Sequence, residues 1–358
     1  MMRVKAPCFG AMLSGLMLTA WADDCSTSHA ASDRGRQVAV QFEWDNDYFG
    51  RTDRWFTNAL RLNLNVREPD ADKDVLTHWL LQATSLEPAD EPALSAAQSG
   101  VCRGISLGLG HLIYTPADIR VDTPQPMDRP WAGVLYGSLA RFGFKDKHYW
   151  QTELKLGTTG RASRAGHLQR WWHRVIEDDR PAGWHHQLKR RPFVQLSHMK
   201  LRRWGDGDDT NDRFGWHWGW GAALGSHRAY ASVLAGGSLG WQRGRNPVFA
   251  VSNDGDLVVR DFNEQAAYRR PLAFVSVSLT AVAYNRLITG DTAAGRSDIR
   301  LRRGVAAWHA GFALPLGKSS HFQYTHTLRS AEFDSNAQGH GRRTQRWGTG
   351  ALVVNFDP

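Results

Sequence analysis

Past its first turns the chain has no run of about 18 apolar residues, the length a helical membrane span requires, and this excludes a bundle of membrane helices. It has no Gly-x-Ser-x-Gly, so an ester hydrolase built on it points to an activated water rather than a serine on a nucleophile elbow. Cysteine is scarce, with three among 358 residues, and they form neither a zinc-ligand pattern nor a catalytic-cysteine context. Aromatic surface is plentiful, with 16 Trp and 15 Phe, which excludes a disordered polar chain.

The N-terminus reads as an export signal. Arg3 and Lys5 supply the positive start, Cys8 to Ala20 the apolar stretch, and Ala20-Trp21-Ala22 a small-x-small cleavage site before Asp23. Residues 1–22 are therefore the expected signal peptide and 23–358 the expected mature domain. Cys8 leaves with the signal, and an oxidising compartment would let Cys25 and Cys102 pair or stay as two thiols. Removing Arg3 and Lys5 from the 44 basic side chains leaves 42 against 35 acidic ones, a formal charge of +7 that suits anionic lipid or phosphate. The basic residues are spread along the chain rather than gathered in one patch, which speaks against nucleic acid.

Hydrophobicity alternates with period two. Val38, Val40, Phe42 and Trp44 share one strand face, and Gln41, Glu43 and Asp45 the other. Leu60, Leu62, Leu64 and Val66 repeat the pattern, as do Trp150 to Leu156 and Val275 to Ala281. Trp216, Trp218 and Trp220 place three indoles on one strand face, the signature of an aromatic girdle at a membrane interface. Further strands read at Gly104 to Gly110, Trp131 to Phe142, Phe193 to Trp204, Tyr230 to Trp241, Ile299 to Leu314, His321 to Phe333 and Arg346 to Phe356. The expectation is all-β: a single transmembrane antiparallel β-barrel of about 12 strands in the outer membrane, a secreted sandwich being the alternative. If the first strand rises from the periplasm, Asp47 to Phe56, Leu112 to Pro130 and Thr158 to Pro192 share the extracellular rim. Arg67 to Arg103 is then periplasmic, with Val75 to Leu81 helical and Glu87 to Ala97 a loop.

Helical spacing is clear in Gly166 to Ile176, a short extracellular loop helix expected to stop near Pro181-Ala182-Gly183. Gln169 and His173 share a face of it, and Trp172 and Ile176 form an adjoining apolar stripe. His173 can serve as a general base, with Gln169 orienting it or the substrate, although with 15 histidines in the chain one on a loop helix is ordinarily a polar surface residue. Asn46-Asp47 ends the first strand and Thr57 opens the second. These could hold Ca²⁺ or stabilise an oxyanion, and Asn-Asp is also a common turn pair.

At this point Phe42 to Phe49 and Thr52 to Asn58 resemble the opening motif of the outer-membrane lipid A 3′-O-deacylase family. Three more blocks resemble it in order: Ile113 to Pro116, Asp128 to Gly133 with Leu135-Tyr136, and Gln169 to Arg174 with Pro181 to Trp184 and Gln187-Leu188. The resemblance implies a twelve-stranded outer-membrane barrel that hydrolyses the 3′-linked acyloxyacyl ester of lipid A with Ca²⁺. It implies that Asn46, Asp47, Thr57, Gln169 and His173 occupy the active-site positions, with His173 activating water and Asp47 helping to hold the metal. Arg54, Arg129, Arg170 and Arg174 are candidate ligands of lipid A phosphate, as is Arg51. Two departures stand out: His111 where the family has Gln, and Ala59 where it has Gly. The alternatives are an outer-membrane phospholipase and a non-enzymatic barrel that binds lipopolysaccharide. In each case lipid A or lipopolysaccharide and outer-membrane lipid are the partners, and the protein is expected to be a monomer.

Overall fold

The structure, a computed structural model, describes residues 37–50, 54–68, 102–145, 148–204, 214–240, 271–317, 319–334 and 344–356. The signal peptide, Cys25, Arg51 and segment 69–101 lie outside the described residues, so the readings placed on them, including the pairing of Cys25 with Cys102, are not addressed by it.

Among the described residues sixteen strands follow one another: β1 Gln37–Asn46, β2 Trp55–Glu68, β3 Cys102–Thr115, β4 Ala132–Lys145, β5 His148–Thr159, β6 Pro192–Trp204, β7 Phe214–Gly225, β8 Arg228–Gly240 and β9 Leu272–Asn285. After them come the short β10 Asp291–Thr292, β11 Gly295–Arg296 and β12 Arg300–Leu301, then β13 Gly304–Pro315, β14 Ser320–Arg329, the short β15 Phe333–Asp334, and β16 Gln345–Phe356. Twelve of them form a closed antiparallel barrel, sealed where β1 pairs with β16 from Val38↔Phe356 to Asn46↔Gly348. Closure leaves no unpaired edge, as a sheet surrounded by lipid requires. Among the described residues no helix is long and apolar enough to cross a membrane.

The period-two pattern sorts side chains as a barrel needs. Phe42, Leu62, Leu64, Leu107, Leu109, Leu156, Val275, Leu279 and the girdle Trp216, Trp218 and Trp220 stand exposed on the outside. Inside, the polar partners bury one another. The Arg61 guanidinium bridges Glu43 at 3.0 Å and Asp45 at 2.5 Å, Gln41 Nε2 donates to Glu43 Oε1 at 2.6 Å, and Thr349 Oγ1 donates to Asp45. Lys155 lies 3.5 Å from Glu153 and over the Tyr136 ring. An ion pair in this interior remains only because both members are present, since either alone would be a buried uncompensated charge.

Two expected strands run past their true ends. Ile299 to Leu314 and His321 to Phe333 break at residues 302–303 and 330–332, and β12 pairs with β15 as a separate ribbon. The cause is a second apolar cluster above the barrel, in which Trp55, Ile288, Ile299 and Phe333 pack together with Leu301 against them. The alternation continues because those side chains are buried there, and not because the barrel sheet continues.

Candidate active site

The outward face of the barrel wall, at the end where β1 meets β2, is the floor of the site. Alternation carries Asn46 onto the same face as Phe42 and Trp44, yet Asn46 is buried there. Its Oδ1 accepts from Tyr48 N at 2.8 Å, closing an Asx turn into the 3-10 turn Asp47–Gly50. Asp47 is also buried, and its Oδ2 accepts from Arg54 N at 2.6 Å, tying the two ends of the connection together. Strict alternation would send Thr57 inward with Ala59 and Arg61. A β-bulge between Phe56 and Asn58 makes Thr57 an extra residue and re-aims it, so that its hydroxyl meets that of Thr115 at 2.8 Å. Phe56 and Tyr114 stay with Trp347 in the apolar cluster below.

Helix α1, Ala165–Val175, lies over this wall. It begins after Arg164 in the left-handed conformation (φ 60°) and ends before Glu177 in the same conformation (φ 55°). The stop therefore falls several residues short of the expected Pro181 because the backbone reverses at Glu177, where Asp178 N donates to His173 O. The N-terminus of the helix presses on the wall at Gly133, where a Cβ would run into Ser163 and Ala165. His111, on the outward face of β3, donates its Nε2–H to the Ser163 carbonyl at 2.9 Å, so this departure from the family pattern anchors the turn that leads into α1. Ile113, Ile119, Trp131, Ala165 and Trp184, with Leu168 against them, form the small core between wall and helix.

Gln169 and His173 are the buried polar residues of α1. His173 Nδ1 lies 2.7 Å from the Asp179 carbonyl oxygen, and because a carbonyl only accepts, Nδ1 carries the hydrogen. In the neutral ring the lone pair is then on Nε2. Gln169 Oε1 accepts from the Trp184 indole N–H at 2.7 Å, and Gln169 Nε2 is buried with no acceptor among the described residues. The two halves of the site are joined by Trp172, next to His173, whose ring meets Trp44 edge to face with centroids 6.3 Å apart. Trp44 lies two residues before Asn46 on the same outward face, so this contact ties the helix to the wall close to the strand end. Tyr48, Phe49, Trp171, Trp172, Val175 and Ile176 leave exposed apolar surface around it.

The four arginines separate. Arg174 is exposed, Arg170 half-buried, and Arg54 half-buried with its guanidinium over the neighbouring Trp55 ring at 4.6 Å. Arg129 departs from the expectation of a phosphate ligand. It is fully buried, stacked 4.2 Å from the Tyr114 ring and paired with Glu332 at 2.6 Å, an internal crosslink rather than a surface cation. For a metal, the chemistry on offer at the strand end is all oxygen: the Asp47 carboxylate, the Asn46 amide and the Thr57 and Thr115 hydroxyls. That suits a hard cation. No group of three or more His, Cys, Asp or Glu that could hold a metal gathers among the described residues.

Sequence reasoning assigned no role to Thr115, Trp184 or the Asp179 carbonyl. The first two fall inside motif blocks already singled out. A backbone oxygen leaves no mark in a sequence.

The geometry can be set beside known proteins. The sequence matches the family described as Outer membrane protein LpxR over residues 10–356. The fold is similar to LpxR from Salmonella typhimurium, with a TM-score of 0.66 and 15% identity over 88% of this chain and 99% of that one. The translocator domain of the autotransporter NalP from Neisseria meningitidis covers 90% of this chain and 88% of its own at 9% identity, with a TM-score of 0.38. No curated protein matches. A family match spanning nearly the whole chain, on a closed twelve-stranded barrel, establishes that this chain belongs to the family of the outer membrane protein LpxR, the outer-membrane lipid A deacylases.

Proposed function

We propose that this barrel hydrolyses the 3′-linked acyloxyacyl ester of lipid A in the outer leaflet, with His173 as the general base and the cleft at the extracellular rim. The observation that carries the reading is the His173 imidazole, buried beside the cleft with Nδ1–H held by the Asp179 carbonyl, which leaves Nε2 as the atom able to take a proton. Water adds to the ester carbonyl as its proton passes to Nε2. The oxyanion is received by donors of the chain, Gln169 Nε2–H and the Asn46 amide. Collapse breaks the acyl–oxygen bond, and His173 returns the proton to the sugar oxygen, releasing the fatty acid and a hydroxyl. Thr57, aimed by the bulge, positions the ester against the wall.

Asp47 would hold Ca²⁺ together with neutral oxygens of the strand end, and the ion would supply positive charge near the developing oxyanion. The exposed apolar rim around α1 suits a substrate with several acyl chains, and Arg54, Arg170 and Arg174 supply cations for its phosphates. A pore is disfavoured by the interior, where Arg61, Glu43, Lys155, Glu153 and Arg329 are all buried against one another or their neighbours.

The test is mass spectrometry of lipid A from cells carrying equal amounts of folded wild type or His173→Ala, with and without Ca²⁺. Loss of an acyloxyacyl mass in the wild type alone supports the reading, and dependence on added Ca²⁺ supports the metal. Identical lipid A in both strains, with the barrel folded, sinks it and moves the assay to glycerophospholipids.

A further inference from the structure

The two amides of the cleft are tied down in the same way. Asn46 Oδ1 accepts from Tyr48 N, and Gln169 Oε1 accepts from the Trp184 indole. The second tie is the more telling because it comes from a side chain that does nothing else polar. An indole N–H only donates, so the atom facing it must be the amide oxygen, and the two Nε2 hydrogens point the other way. Nε2 is buried and has no acceptor among the described residues. A buried primary amide with both hydrogens unmet carries a desolvation cost that native structures rarely leave standing without a functional reason.

Trp184 itself is held from several sides. It lies in the turn Gly183–His186, 2% exposed, with its ring 5.0 Å from that of Trp131. Gln187 Nε2 donates to its carbonyl at 2.8 Å. Gly166 of α1 passes directly over the indole, where a Cβ would lie 2.8 Å from Trp184 Cγ. Gln169 is one turn further along the same helix, and His173 one turn beyond that. The indole therefore sits in a rigid pocket at the right level to fix one amide and nothing beyond it.

We infer that Trp184 is a positioning residue: its indole N–H locks the Gln169 amide with the Nε2 hydrogens presented on the His173 face of α1, where they receive the carbonyl oxygen of the ester. This rests on the deacylase reading above. Without the indole the amide is free to turn over, and for part of the time an oxygen lone pair faces the developing oxyanion.

The test uses the purified full-length barrel in detergent with lipid A, measuring kcat and KM separately and checking folding by the mobility shift of unheated against heated protein. Trp184→Phe removes the N–H and keeps an aromatic ring; it is expected to lower kcat on the order of 10-fold with KM nearly unchanged. Gln169→Glu still accepts from the indole but offers no hydrogen to the ester, and is expected to lower kcat about 100-fold. In a Gln169→Ala background Trp184→Phe is expected to cost no further kcat, whereas a merely structural tryptophan would lower kcat by the same factor in both backgrounds. Full kcat in Gln169→Glu, or an undiminished effect of Trp184→Phe in the Gln169→Ala background, overturns the inference. If Trp184→Phe fails to fold, Gln169→Glu still decides. An active wild type with a dead His173→Ala keeps the deacylase reading whatever Trp184 does, and an inactive wild type overturns both.

Discussion

His173 Nδ1 and the backbone oxygen of Asp179 lie 2.7 Å apart, across a chain reversal begun by Glu177 in the left-handed conformation. The imidazole is thus oriented by a peptide group, and the Asp179 side chain, 60% exposed and 3.8 Å from Arg120, is not the group that holds it. Asp179→Ala should retain kcat within about twofold of wild type, since an exposed ion pair of this kind contributes about 0–1 kcal/mol. Lipid A turnover by the purified variant checks this. A hundredfold loss would mean that the carboxylate, and not the carbonyl, orients the ring.

The filled interior makes a second prediction. Arg61, with Glu43, Asp45 and Gln41, forms a buried network across the wall of β1 and β2. A porin needs an aqueous lumen. Reconstituted in planar bilayers, the wild type should give no stable channel openings. Arg61→Ala should lower the unfolding midpoint, because two carboxylates are then left without their cation, a loss of about 3 kcal/mol or more.

How much of this could be read beforehand follows from what each feature depends on. The barrel was legible because Val38 to Asp45 and its counterparts repeat with the period of the pleat, and because an inward Glu43 or Arg61 makes sense only inside a closed sheet. The helix was legible from the i, i+4 placement of Gln169 and His173. Thr57 was singled out without its reason, since nothing in Trp55-Phe56-Thr57-Asn58 says which residue is extra; the bulge exists only in the pairing with β3. Ile299 and Leu301 were read as barrel strand because burial against Trp55 and burial in a sheet give the same alternation. Arg129 was read as a phosphate ligand because sequence does not show that Glu332, two hundred residues away, covers it.

Acid should reveal the loop that borders α1. Asp118 accepts from both the backbone and the side chain of Arg120, and these bonds hold its carboxyl below the ordinary carboxylate range. A depressed folded-state value means the contribution is complete above the unfolded value of about 4 and is lost as pH falls through the lower folded value. Asp118 and Arg120 are both well exposed, so the effect is small. The unfolding midpoint of Asp118→Asn should lie slightly below wild type at pH 6 and converge with it below about pH 4. A difference that persists unchanged at low pH would assign the stabilisation to something other than this carboxylate.

Glu332 joins two buried arginines at the site end of the barrel. Its Oε2 accepts from Arg129 at 2.6 Å and from Gln345 Nε2 at 3.0 Å, and its Oε1 lies 3.4 Å from Arg329. Both arginines are fully buried, one stacked on Tyr114 and the other, at 4.6 Å, on Trp347. One carboxylate therefore contacts two guanidinium groups, each of which also lies over an aromatic face. Glu332→Gln keeps the shape and removes the charge, and should destabilise the folded barrel by about 3–5 kcal/mol, read as a lowered midpoint in urea. Arg329→Met in the same chain removes one of the two cations that faced the lost carboxylate and should recover part of that loss. If Glu332→Gln unfolds at the wild-type midpoint, the pairing is not what holds the loop after β14 to the loop after β3. If the double variant is no more stable than the single one, Arg329 is balanced by other groups.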